Sequence, residues 1–202
     1  MRASLFARTA LAPLALALGL AAASSAQAAV FVVDALADSA DSGAGAGLST
    51  LTLTVGELLM SSASLDDLWS AGALPRWSNA NGLTGDRFAT GTDESGQPAG
   101  TLIGTNFGLL NIDGFSAPFG SLVGQIGSGA GSYRLLGTSF SGPAWGSGVL
   151  TLFYWDTFTP DNSGSVAVSL AAVPEPAAWG LMIAGFAAAG ALLRKRRAFT
   201  TA

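Results

Sequence analysis

Between residues 29 and 172 the apolar residues come in short alternating bursts set between glycines, and no stretch holds a helical period. The chain has 27 glycines and is rich in serine and threonine; with period-two alternation, that calls for β-strands joined by tight turns. Leu51-Thr52-Leu53-Thr54-Val55 is the clearest case. Successive side chains of a strand point to opposite faces, so the leucines and Val55 should share a buried face and the threonines a solvated one.

Further strands are expected over 30–33, 58–63, 102–103, 121–126, 133–136, 149–155 and 166–170. Residues 65–69, with paired aspartates, are expected to form one helical turn. Residues 35–47 read as a loop that Asp34, Asp38 and Asp41 keep solvated. Residues 72–100 read as one long ordered loop, anchored on the sheet by Trp69, Leu74, Trp77, Leu83 and Phe88. Many short strands at this spacing predict an all-β chain, an antiparallel β-sandwich formed by a single domain over 29–172.

The two ends differ from this body. Arg2 and Arg8 precede an apolar run over 10–23, and Ala26-Gln27-Ala28 puts small residues where a signal peptidase reads. Residues 1–28 are therefore expected to be a secretory signal peptide, cut between Ala28 and Ala29. At the other end Val173-Pro174-Glu175-Pro176 leads into an uncharged run over 177–193 and then Arg194-Lys195-Arg196-Arg197. Each proline fixes φ and lacks an amide donor, so a helix cannot be continued backwards through this step. A run of about 17 residues is near the lower limit for a transmembrane helix, and the basic cluster after it belongs on the cytoplasmic side, which leaves the body outside.

With those ends removed, the body holds three cations, Arg76, Arg87 and Arg134, against twelve carboxylates, a net charge of −9. Such a surface repels phosphate backbones and excludes nucleic acid as a partner, while it remains compatible with calcium. The chain has no cysteine and no histidine, so disulfides, Cys/His zinc sites, thiol nucleophiles and Ser-His-Asp triads are all ruled out. No spacing singles out a carboxylate pair for glycoside hydrolysis, and a non-catalytic protein is expected.

Pro174-Glu175-Pro176, Trp179 three residues on, Met182-Ile183-Ala184-Gly185-Phe186 and the terminal basic cluster together resemble the PEP-CTERM sorting signal in its PEPxxW variety. The resemblance implies an exosortase-type sorting protease as partner. It also implies anchoring in the inner membrane in transit, cleavage near the motif, and delivery to the cell surface or the extracellular polysaccharide matrix. An ordinary single-pass anchor is the alternative.

One loop gathers oxygen ligands. Residues 156–164 read Asp-Thr-Phe-Thr-Pro-Asp-Asn-Ser-Gly between two strands, and calcium takes six to eight oxygens from carboxylates, carbonyls and water. The same residues also make a good turn, since Asp and Asn bond their own backbone and Gly permits positive φ. Residues 120–127, 148–156 and 161–165 resemble the C-terminal half of the bacterial calcium-dependent galactophilic lectins. That resemblance implies calcium held by Asp156, Asp161 and Asn162, with Thr159 beside them, and sugar hydroxyls completing the shell. The sugar-contacting histidine of those lectins has no counterpart here. Trp69, Trp77, Trp145 and Trp155 are candidates to stack on a sugar ring, or to fill the core. The expected function is a secreted, surface-sorted module that binds carbohydrate through calcium, with a structural surface or matrix protein lacking a ligand as the alternative.

Overall fold

The computed structural model describes residues 28–40, 46–173 and 176–198. The expected signal peptide up to Gln27, Asp41 of the first loop, and Pro174 and Glu175 of the tail lie outside the described residues. Fourteen strands form among the described residues, beginning with β1 (Ala28–Asp34), β2 (Leu48–Leu53), β3 (Leu58–Ala63), β4 (Trp69–Ser70) and β5 (Trp77–Ser78). There follow β6 (Arg87–Phe88), β7 (Leu102–Gly104), β8 (Leu109–Ile112), β9 (Phe115–Pro118) and β10 (Leu122–Ile126). The last are β11 (Tyr133–Leu135), β12 (Ser139–Pro143), β13 (Gly148–Tyr154) and β14 (Ser163–Val173), and helix α1 (Pro176–Ala198) closes the chain.

All strand ladders are antiparallel, as the alternation demands. One sheet runs β12-β3-β14-β4-β5, with β1 on the other side of β14, and a second runs β11-β10-β13-β2. The two sheets share one core. Val33, Leu59, Val166, Val168 and Leu170 of the first meet Leu53, Leu122, Leu150 and Leu152 of the second, all buried, each contributing about 1.5–3 kcal/mol relative to exposure. The second sheet is covered on its far side too. There the β8–β9 hairpin lays Leu110, Ile112 and Phe115 over Val123, Tyr133, Phe153 and Trp155, which is why β10 and β13 read as nearly continuous apolar runs. A third cluster, Leu68, Ala89 and Ile103 packed by Trp77, sits under the 72–100 excursion. Among the described residues, helix α1 supplies none to the three clusters.

Several expectations need correction. Residues 65–69 form no helical turn: Asp67 turns its carboxylate to accept the Ala167 N–H at 2.7 Å, and Trp69 enters a strand paired with Ser78. Val55 does not share the buried face of Leu53. The strand ends at Leu53, and Val55 lies exposed in the turn to β3. The 35–47 loop is not simply solvated, because Ala35, Ser39 and Ala40 are buried. The 72–100 excursion is ordered and carries β5 and β6, yet of its expected anchors only Trp69 and Leu83 are buried, while Leu74 and Phe88 face solvent. The tail forms the expected helix, and among the described residues no helix is long and apolar enough to cross a membrane.

Candidate functional site

β13 delivers Tyr154, Trp155 and Asp156 in succession to one edge of the second sheet, and the chain then turns back into β14 through a 3-10 turn at Thr159–Asp161. Pro160 presets φ for that turn, and the Asn162 N–H closes it on the Thr159 carbonyl at 3.0 Å. Thr159 contributes this backbone oxygen.

The turn is tied to the first loop of the chain. The Asn162 side-chain amide donates to the Ala35 carbonyl at 3.2 Å and to the Ser39 hydroxyl at 3.3 Å, and Ser39 in turn donates to the Asp156 carbonyl at 2.7 Å. Asp156 Oδ1 accepts the N–H groups of Thr157 at 2.7 Å and Phe158 at 3.2 Å. Asp156, Asp161 and Asn162 are thus brought together, and this much of the arrangement is an Asx-type turn.

What a turn does not account for is the oxygen left over. Asp161 Oδ1, Asn162 Oδ1 and the Tyr154 hydroxyl are buried without a hydrogen-bond partner, although a group so placed costs about 1–3 kcal/mol when unsatisfied. Burial pushes the Asp156 carboxyl above its ordinary 3.8; the Phe158 and Thr157 N–H groups offset part of that, and the charge of Asp161 adds to it. Tyr154 is driven far up by burial and by both carboxylates. Gly72 backs onto Asp161, where any side chain would strike the carboxylate and φ is +108°.

The carboxylates open onto a cavity of about 240 Å³ lined by Ala71, Arg76, Phe107, Phe119, Asp156, Thr157, Phe158 and Asp161. Arg76 stands 3.6 Å from Asp161 Oδ2 with its guanidinium 4.9 Å from the centre of the Phe107 ring. Phe107 meets Phe119 edge to face, and Phe158 is 62% exposed at the rim. The donor set is all oxygen, which suits a hard cation such as calcium and not a soft one. It holds two carboxylates, and among the described residues no group of three or more acidic, histidine or cysteine side chains could hold a metal.

Sequence reasoning missed Tyr154, Arg76 and the three phenylalanines. Only Arg76 carried a signal, as one of three cations in an acidic body. Of the tryptophans, Trp69 and Trp155 are fully buried and cannot meet a sugar; Trp77 and Trp145 are half-buried elsewhere.

At the tail, Val173 is the last residue of the sheet, paired with Leu58, and Pro176 opens α1, which carries Trp179 and the cluster Arg194, Lys195, Arg196 and Arg197. Ala28 and Ala29, the expected cleavage site, already belong to β1, opposite Ala171 and Leu170.

No curated protein matches the chain. Among solved structures it is similar to one described as "EclA N-terminal domain; PllA-like lectin", at 20% identity and a TM-score of 0.41, over 71% of this chain and 94% of that one. So loose a likeness says nothing of function. Residues 172–197 match the PEP-CTERM protein-sorting motif, and the chain is an exported protein that carries this sorting signal at its C-terminal end.

Proposed function

We propose that the body is a non-catalytic carbohydrate-binding module, carried to the cell surface or its polysaccharide matrix by the exosortase-read tail, and that calcium is part of its binding site. The observation that carries this reading is the group of buried, unpartnered oxygens on Tyr154, Asp161 and Asn162 beside Asp156. Asp156, Asp161 Oδ1 and Asn162 Oδ1 would hold the ion. Calcium would supply open coordination positions for a pair of sugar hydroxyls. Phe158 and Phe107 offer apolar faces to the ring, and Arg76 donates hydrogen bonds from the cavity wall. During export the uncharged run over 177–193 would cross the membrane, with the four basic residues inside.

A structural surface protein without a ligand is the second reading, and Arg76 favours it. Its guanidinium lies near Asp161 and supplies a positive charge of the kind a metal would bring.

The test uses the recombinant body over 29–173, which holds every residue of the three core clusters. Melts with calcium, magnesium or chelator and glycan binding with and without chelator separate the readings. Calcium at about a hundred times Kd stabilises by roughly 2.7 kcal/mol and raises Tm by several degrees, magnesium does much less, and Asp156→Ala removes the shift. Coincident melts, or glycan binding indifferent to chelator, sink the calcium mechanism; no glycan binding at all leaves the structural reading.

A further inference from the structure

The sheet edges of this protein are not equally guarded. β12 carries Gly142 and Pro143, β11 is three residues long with Arg134 in it, β5 has two residues, and the β13–β2 ladder is broken by a register shift at Val149/Thr151. Proline, charge, shortness and irregular register are the devices that keep an edge from pairing with another chain. β1 has such protection only at its last residue, where Asp34 is charged and is capped by Asp38. It is seven residues long, Ala-Ala-Val-Phe-Val-Val-Asp, with its only charge at the last position, and among the described residues it pairs with β14 alone.

Its two faces bear this out. Phe31 points to the core side like Val33, yet Val33 is fully buried and Phe31 only half. Among the described residues no strand lies on the open side of β1, and only its far end is closed by the turn that follows: the Asp38 N–H donates to the Asp34 carbonyl and the Asp34 N–H to the Asp38 carboxylate, both at 2.9 Å. On the outer face Val30 and Val32 are 69% and 59% exposed, and beside them β14 and β3 present serines and alanines with Leu58 and Met60, without a single charged side chain in a body of net charge −9.

We infer that β1 is a self-association edge, on which a second copy of this chain pairs its own β1 antiparallel about a two-fold axis at Phe31. Antiparallel pairing lets one sequence satisfy both sides of an isologous contact. A one-residue slip would bring outer residues against inner ones, so the faces allow only registers that match parity. The register centred on Phe31 pairs residues 29–33 of the mature strand with the same five residues of the partner subunit. It sets Val30 against Val32 of the partner subunit and closes Phe31 on its own counterpart. With the leader cut after Ala28, the new α-amino group of Ala29 would also come beside Asp34 of the partner subunit. The two sheets then continue into one, whose outer face across β1, β14 and β3 carries no charge except Asp34 of each copy.

The experiment measures the mass of the body over 29–173 in solution by light scattering and sedimentation, with three variants. The native sequence should be a dimer at micromolar concentration. The double substitution Val30→Lys with Val32→Lys puts like charges directly opposite across the axis, and should weaken the dimer about tenfold or more while leaving the melting temperature of the monomer unchanged. Met60→Lys, on the same outer face but two strands away, should leave it intact. Val30→Cys with Val32→Cys should oxidise to a covalent dimer. A monomeric native body, a dimer that survives the paired lysines, or a folded double-cysteine variant that fails to cross-link overturns the inference. Loss of the dimer in Met60→Lys alone would overturn it too, in favour of face-to-face stacking.

Discussion

The rings of Trp69 and Tyr154 meet edge to face, centroids 4.7 Å apart at 71°, and this contact joins the two sheets beneath the candidate site. Both side chains are fully buried, but their polar ends fare differently. Trp69 Nε1 donates to the Gly120 carbonyl at 2.8 Å, an acceptor that also takes the Ser78 hydroxyl at 3.2 Å. The Tyr154 hydroxyl has no partner. Tyr154→Phe should therefore leave stability in chelator unchanged or raise it by about 1 kcal/mol, since an unsatisfied buried hydroxyl is removed at constant shape. Trp69→Ala should cost about 3–5 kcal/mol through the cavity it leaves. Urea denaturation of the two variants checks the contrast.

Asp156 gives the protein a pH dependence with a definite sign. Burial holds its folded pKa above 3.8, so just above that value the native state binds more protons than the unfolded one, and stability in chelator falls as pH rises through the window. Asp38 is raised by burial as well and acts in the same direction; Asp156→Asn isolates the share of Asp156. If the site holds calcium as proposed, the ion should reverse the trend, because only the carboxylate would bind it, and its stabilisation should grow as pH climbs through the same window. Melts in acetate and MES buffers with and without calcium would expose a wrong sign at once.

The apolar strands were legible: β3 was expected with the bounds it has, β10 and β13 within one residue at each end, and β14 over its central part, 166–170. β8–β9 left a signal that went unread, since Asp113-Gly114 between Ile112 and Phe115 is a strong hairpin dipeptide. β4, β5 and β12 left none. Their pairing is decided by long-range contacts such as Trp69 with Gly164 and Met60 with Ser141, and Ser-Gly-rich strands carry too little hydrophobic pattern to announce a face. At the candidate site, the two aspartates and the asparagine sit in one short loop and could be named together. Arg76 and Phe107 reach it from distant positions, and no local rule brings them there.

The hairpin is testable on its own. Asp113 has φ +52° and Gly114 φ +83°, the left-handed pair that a two-residue turn with the twist of its strands requires. Gly114→Val should cost about 1–2 kcal/mol or more, because a β-branched residue is strained there, whereas Asp113→Gly should be nearly neutral. Because the hairpin covers Trp155, whose Nε1 donates to the Leu110 carbonyl at 3.0 Å, tryptophan fluorescence should shift to the red in Gly114→Val before global unfolding.

Replacing Arg194, Lys195, Arg196 and Arg197 with neutral residues removes the charge that would hold the C-terminus inside. Sorting should fail, and the protein should accumulate unprocessed or leak to the medium. Fractionation and mass spectrometry of the exported species decide this, and unchanged surface display of a trimmed protein would contradict it.

Arg76 separates the two functional readings most sharply. Its guanidinium is held over Phe107 and lies 3.6 Å from Asp161 Oδ2, with both partners partly in solvent, so removing it should change stability in chelator by no more than about 1 kcal/mol. If Asp161 ligates calcium, the same guanidinium repels the incoming ion, and Arg76→Gln should lower the calcium concentration needed for half-maximal stabilisation. The variant should also bind glycan less well, because the cavity wall loses donors even as the metal is held more tightly. Opposite movement of the two affinities is the signature, read by calorimetry with calcium alone and then with sugar at saturating calcium. If Arg76 instead serves as the built-in counter-charge of a ligand-free turn, Arg76→Gln leaves Asp161 without its partner, calcium still has no effect on the melt, and the protein is only slightly less stable.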